Sequence, residues 1–246
     1  MDADKKNAVL ALDQPRVIAI KDGKFVYTFH FRRITQGDWM LYFDGIHYTS
    51  RNVERAEVNE LDLDTAGIEL FERCLVKVEG YRGEFMSKPD WQTRVLPRHA
   101  HAASWALRSC TVSQAESDQP FDPERVEISL DAVWSITENT AQTTGYKGLL
   151  HFFAPPSAED KRRFYRAGAQ SKVVGGTRNG TTIHAKRHKV LLELYDKLIL
   201  AVDGYSIGGQ ALSDVAEIRR EMDGHHKLMA AQALFSGISN APAVQE

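Results

Sequence analysis

Two phrases in this sequence are nearly the same. "ELFERCLVKVEGY" (Glu69–Tyr81) and "ELYDKLILAVDGY" (Glu193–Tyr205) align without gaps, with five of thirteen positions identical and five more conservative. Two flanking blocks repeat in the same order. Downstream, His99, Ala103, Ala106, Leu107 and Ser109 fall on His226, Ala230, Ala233, Leu234 and Ser236; upstream, Phe31, Thr35 and Asp38 fall on Phe153, Ser157 and Asp160. A chain that repeats itself over three ordered blocks is constrained to build one supersecondary unit twice. The expectation is a tandem duplication: residues 1–112 as module 1, a polar, proline-bearing linker at 113–123, residues 124–238 as module 2, and a disordered tail at 239–246.

Within each module the local signals are chemical. "RVIAIKDGKFVYTFHFRR" is two extended runs around Asp22-Gly23, residues that tolerate a tight hairpin turn. Phe25, Tyr27, Phe29 and Phe31 alternate with smaller or polar residues, giving one aromatic strand face. "RVEISLDAVWSI" and "KGLLHFF" predict a looser hairpin in module 2. Thr35 and Ser157 each stand three residues before an aspartate, a form of the capping box that opens a helix. Helices are predicted over Thr65–Glu79 and Val190–Asp203, each stopped by a glycine (Gly80, Gly204) with a tyrosine behind it. Pro97 and Asp223 open the last helix of each half. The fold class is α+β, each module a β-hairpin followed by about three helices that cover the aromatic sheet face.

The chain holds 31 basic and 33 acidic residues, and this near-neutral balance removes the global charge argument for nucleic-acid binding. Two cysteines make no disulfide framework and fit a reducing compartment. The N-terminal segment does not have the form of a secretory signal, and no apolar run is long enough to span a bilayer. No membrane association is expected.

Enzyme-like strings are few. "GGTRNGTT" (Gly175–Thr182) has the glycine spacing of a phosphate loop, but Thr181 stands where the lysine should be, and a turn at Asn179-Gly180 is the simpler reading. His184 and His188 are four apart, as zinc-binding histidines on a helix are; position 185 is alanine instead of the general-base glutamate, and no third ligand is evident. Surface or cap-associated histidines are expected, with no metal site and no cofactor. "HAKRHK" and "KRR" are local basic clusters, and the strand aromatics lack the glycine-aromatic signature of an RNA-recognition strand. There is no Gly-x-Ser-x-Gly elbow, and no catalytic residue is assigned. The alternatives left open are a histidine-based metal-dependent enzyme and a nucleic-acid-binding module.

One oddity remains in the repeated phrase. Glu79 and Asp203 put negative charge at the predicted negative end of a helix, in both copies. Residues that break a local preference can mark a contact, so Glu79, Tyr81, Asp203 and Tyr205 are the candidate partner-binding residues.

The hairpin, the Ser/Thr-x-x-Asp helix start, "ELYDKLILAVDGY" and "HHKLMAAQALF" together resemble, in layout, small morphogenesis proteins of tailed bacteriophages, especially tail assembly chaperones. Those are usually a single unit, from which the repeat departs. The resemblance implies a non-enzymatic assembly protein in the host cytoplasm. Its partners would be other phage structural proteins of the tape-measure or tail-tube kind. A neck or tail component retained in the virion is the related alternative.

Overall fold

The structure, a computed structural model, describes residues 9–53, 56–81, 88–115, 124–135, 140–169, 171–177, 180–185 and 187–236. A two-residue strand β1 (Leu10–Ala11) leads into the hairpin β2 (Arg16–Asp22) and β3 (Phe25–Phe31), helix α1 (Gln36–Gly45) and a second hairpin, β4 (His47–Val53) and β5 (Ala56–Asp62). Helix α2 (Asp64–Cys74) runs directly into strand β6 (Leu75–Glu79), and helices α3 (Lys88–Arg94) and α4 (Pro97–Arg108) close the first half. After β7 (Cys110–Ala115) the succession recurs. It runs through hairpin β8 (Glu124–Ser135) and β9 (Thr140–Phe153), α5 (Ala158–Ala169), hairpin β10 (Ser171–Thr177) and β11 (Gly180–Ala185), α6 (Arg187–Leu198) and β12 (Ile199–Asp203). Two short strands, β13 (Tyr205–Ile207) and β14 (Gln210–Ala211), precede α7 (Val215–Glu221) and α8 (Gly224–Ser236). The fold is α+β. Among the described residues no helix is long and apolar enough to cross a membrane.

The two halves match in register as well as in order. β6 pairs antiparallel with β3 as Phe31↔Leu75, His30↔Lys77, Phe29↔Val78 and Thr28↔Glu79. β12 pairs with β9 as Phe153↔Ile199, Phe152↔Ala201, His151↔Val202 and Leu150↔Asp203, with the same irregularity after its first pair. The strands assemble in the order β12-β9-β8-β2-β3-β6, with β7 also on β8. The halves join where Ala19, Ile20 and Lys21 of β2 run parallel to Val133, Trp134 and Ser135 of β8. A separate four-stranded sheet has the order β10-β11-β4-β5.

The Asp22-Gly23 hairpin forms, with Asp22 opposite Phe25 and Gly23 at φ 57°. Its aromatic face holds from Tyr27 inward: Phe29 and Phe31 are fully buried, whereas Phe25 at the tip is 56% exposed. Burying each of those rings is worth roughly 2–3 kcal/mol. They pack with Trp39, Leu70, Phe71 and Leu107 in one core; Ile128, Phe153, Leu194 and Tyr195 belong to a second. Leu12 and Val112, which precede β8 in sequence, pack in the second core.

Both helix starts are capped as the sequence predicts. The Thr35 hydroxyl accepts from Asp38 N, while the Asp38 carboxylate accepts from Thr35 N at 2.9 Å; Ser157 and Asp160 repeat the geometry. Arg32 grips Asp38 through two bonds of 2.7 and 2.9 Å, and this guanidinium, with Thr35, holds the carboxyl well below the usual carboxylate range despite burial. Lys197 does the same for Asp160 at 2.6 Å. Such boxes satisfy the free N–H groups of a first turn.

Three sequence expectations are corrected. The helices do not reach Gly80 and Gly204: they end at Cys74 and Leu198, and the next five residues are strands. "LVKVE" buries Leu75 and Val78 but exposes Val76, a strand's alternation that a helical stripe through Phe71, Leu75 and Val78 conceals. Each half also contains a second hairpin and a fourth helix absent from the expected layout. Finally, Ser113–Ala115, assigned to the linker, extend β7 and pair with Arg125–Glu127 of β8. Residues 116–123, the tail at 239–246, and Arg178 and Asn179 of the predicted turn lie outside the described residues.

Candidate functional site

The repeated Gly-Tyr phrase forms a corner at the end of an outer strand in each half. Gly80 (φ 95°) and Gly204 (φ 83°) adopt a backbone conformation open to glycine. The chain then folds its tyrosine toward the last helix. Tyr81 OH hydrogen-bonds His99 Nδ1 with its ring 4.6 Å from Tyr27, and Tyr205 OH lies 3.2 Å from His226 Nδ1. The histidines that align in sequence are thus the ones that meet the aligned tyrosines. Burial pushes the half-buried Tyr81 phenol up to about 12, so it acts as a hydrogen-bonding group, not an acid.

The acids of the corners sit at strand ends, so no helix dipole opposes them. Glu79 pairs with Lys77 at 2.7 Å and faces His30 at 3.5 Å; the Lys77 bond draws its carboxyl below the usual range. Asp203 is exposed and accepts Gly204 N at 2.8 Å. Of the four candidate contact residues, Glu79 and Asp203 face outward and Tyr81 is half-buried. Tyr205 is only 2% exposed, its hydroxyl engaged by His151 and His226.

Behind the second corner runs a buried polar chain. His151 Nδ1 and Nε2 lie 2.8 Å from Tyr195 OH and Tyr205 OH. Burial drives the His151 pKa well below the ordinary value, so the ring is neutral, with one N–H and one bare nitrogen. One hydroxyl therefore donates to it and the other accepts from it. Tyr205 hands the sequence on to His226. Asp223 caps α8 by accepting His225 N and His226 N at 2.8 and 3.2 Å, and the Trp39 indole N–H reaches it from α1 at 2.9 Å. Burial opposes charge on Asp223, but the adjoining His226 and His225 and the Trp39 bond hold its carboxyl below the usual range. Burial pushes His225 down to about 4; its Nε2–H donates to Arg108 O at 2.8 Å, and its ring stacks on Trp39 at 4.8 Å. This network ties the two halves together.

A cleft of about 450 Å³ opens beside it, between the chain entering β2 and the start of α8, lined in part by Arg16, Arg33, Ile34, Glu221, Asp223 and His226. Both its arginines are engaged: Arg33 pairs with Glu221 at 2.7 Å across the halves, and Arg16 donates to Leu107 O at 2.8 Å.

Of the surface or cap-associated placement expected for the histidines, the cap-associated part describes His99, His188, His225 and His226, which stand in the first turns of α4, α6 and α8, while the surface part does not. His99, His151, His188, His225 and His226 are all buried, each engaged with a tyrosine, an acid, a carbonyl or an aromatic ring; His101 is exposed, 3.3 Å from Asp64. His184 and His188 do not share a helix, since one ends β11 and the other begins α6. Among the described residues no group of three or more His, Cys, Asp or Glu is placed to hold a metal. Of the basic clusters, "HAKRHK" is partly consumed by Asp44, which faces His188 and Lys189 at 3.1 and 3.7 Å. Arg162, Arg163 and Arg166 surround a shallow hollow on α5 with Glu159, and Arg163 pairs with Glu193.

His151 and Lys227 escaped the sequence reading. Lys227 is fully buried, its ammonium held by Asp196 at 2.8 Å and by Arg219 O. The match of Phe31 with Phe153 had already put His151 at the position of Phe29, and a histidine at a core aromatic position is the available signal. No protein family, curated protein or solved structure matches the chain.

Proposed function

We propose that this chain is a non-enzymatic assembly protein of the tailed-phage type, a tail assembly chaperone or scaffold, built by tandem duplication of one module and binding other tail proteins of the tape-measure or tail-tube kind. The observation that carries this reading is the equivalence of the two corners. The same strand register, glycine and tyrosine–histidine bond recur at both, and each leaves an acid at its rim. A buried polar network fixes the shape of the second corner, and at the rims Asp203 and the Lys77-paired Glu79 face outward toward a partner. The phage assignment itself rests on the layout of hairpin, capped helix and Gly-Tyr corner. A neck or tail component retained in the particle is the second reading, favoured by the outer edges of the four-stranded sheet, which carry no strand partner among the described residues.

Asp203 supplies the test. Among the described residues its side chain bonds the adjacent Gly204 N alone, so Asp203→Lys will shift the melting temperature by no more than about 2 °C, in line with an exposed substitution. Capture of tail proteins from infected cells by the tagged chain will fall at least tenfold. Undiminished capture by both Asp203→Lys and Glu79→Lys would remove the corners from the interface.

A further inference from the structure

The four-stranded sheet is joined in a way that repeats. Its two hairpins are equivalent: Val53↔Ala56 closes the first and Thr177↔Gly180 the second, an offset of 124 residues that also relates Cys74 to Leu198 and Gly80 to Gly204. β4 is therefore the counterpart of β10, and β5 of β11. In the order β10-β11-β4-β5 the second strand of one hairpin pairs with the first strand of the other. Two hairpins related by a two-fold axis would instead pair like with like. This joint is head-to-tail, and a head-to-tail joint leaves its own two halves open at the ends.

The outer edges of β5 and β10 carry no strand partner among the described residues. By the equivalence, β5 offers the edge that β11 uses inside the chain, and β10 offers the edge that β4 uses. We propose that β5 of one molecule pairs antiparallel with β10 of a second copy, recreating between chains the β11·β4 joint found within one. Repetition closes the copies into a ring or extends them as a filament.

The internal register sets the external one. Thr182↔Thr49 and Ile183↔Tyr48 within the chain translate to Val58↔Val173 and Asn59↔Lys172 between chains. The pairing runs over the end of β10 that precedes its irregularity between Val173 and Gly175. Neither strand contains proline, which commonly blocks an edge. β5 carries Glu57, Glu60 and Asp62, while the one charge on β10 is Lys172, so the two edges are complementary in sign.

The proposal rests on backbone register and stands or falls apart from the phage-type reading. The test mixes Val58→Cys chains with Val173→Cys chains under mild oxidation, and likewise Asn59→Cys with Lys172→Cys. Adjacent antiparallel pairs alternate between wide and close spacing, so one of the two mixtures is within disulfide reach. The expected result is a disulfide-linked dimer in a mixture and not in either single-cysteine chain above the background of Cys74 and Cys110. A chain carrying both cysteines cannot close the bond on itself, because the edges are three strand spacings, about 14 Å, apart. Independently, the parent chain will show masses above one copy in native mass spectrometry, increasing with concentration. A one-copy mass at the highest soluble concentration would overturn the proposal. So would Val58→Cys linking to itself as readily as to Val173→Cys, which would make the contact like-to-like.

Discussion

Lowering the pH from 7 to 5 will cost this protein on the order of 4 kcal/mol of folding stability. Three histidines are responsible. His151, His225 and His226 all have lowered pKa values in the folded state, His225 at about 4, in each case chiefly because burial disfavours the imidazolium. In the unfolded chain each returns to a value of about 6.5. A folded-state pKa below the unfolded one means that the unfolded chain binds more protons between the two. Stability is therefore complete above pH 6.5 and falls as the pH drops toward 4. A histidine contributes about 1.4 kcal/mol per pH unit only between its folded and unfolded values, a window that reaches about 4 for His225, and the attraction of Asp223 for His225 and His226 trims the sum. The lowered carboxylates, Asp22, Asp160 and Asp223 among them, lose their contribution further down, below their unfolded values near 4. Urea midpoints across pH 5–7 will show the slope. His151→Phe, which installs the residue found at the matching position 29, will flatten it. The same variant will lower stability at pH 7, because Tyr195 and Tyr205 lose their shared partner. A midpoint that stays flat from pH 7 to pH 5 would contradict the assignment of neutral, buried rings.

Gly80→Ala will destabilise the protein by about 3–4 kcal/mol, and Gly204→Ala by about half as much. Both positions have positive φ, which penalises any side chain. The difference lies in what the added methyl would meet. At Gly80 a Cβ would stand 2.4 Å from the Val26 carbonyl oxygen; at Gly204 its nearest neighbours, Gly148 O and Leu149 Cδ2, are at 3.1 Å. Val26 belongs to β3, which is held by β2 on one side and β6 on the other, so that carbonyl cannot retreat without breaking a ladder. Equal losses at the two glycines, measured by denaturant unfolding, would show that conformation alone decides the cost.

The sequence made the local chemistry legible and left the long-range geometry hidden. Asp22-Gly23, the Thr35 and Ser157 caps, and the starts at Pro97 and Asp223 depend on a few neighbouring atoms and could be read directly. β6 and β12 could not, because Leu75 and Val78 satisfy a period of 3.6 and a period of 2 alike. The hairpin β4–β5 is hidden because "HYTSRNV" and "AEVNELD" carry too few apolar residues to alternate. Within the site, the repeat had already matched His99 with His226 and Tyr81 with Tyr205. Only the sheet reveals that these pairs touch, since it carries the end of β6 to α4 and the end of β12 to α8. The misplaced helix ends also created the puzzle of Glu79 and Asp203, which disappears once both acids terminate strands.

The crossing of strands between the halves has a consequence for how the molecule comes apart. β7 follows the helices of the first half yet forms an edge of the second, while the far end of β8 lies along β2, and Trp39 and Arg33 reach across to Asp223 and Glu221. Neither half can melt without stripping backbone bonds and core contacts from the other. A chain with two cores in this arrangement behaves as one cooperative unit, with a single unfolding transition and native-state hydrogen exchange that rises together in β2 and β8. The seam visible in the sequence is a record of composition, and the energetic boundary of the molecule is its outer surface.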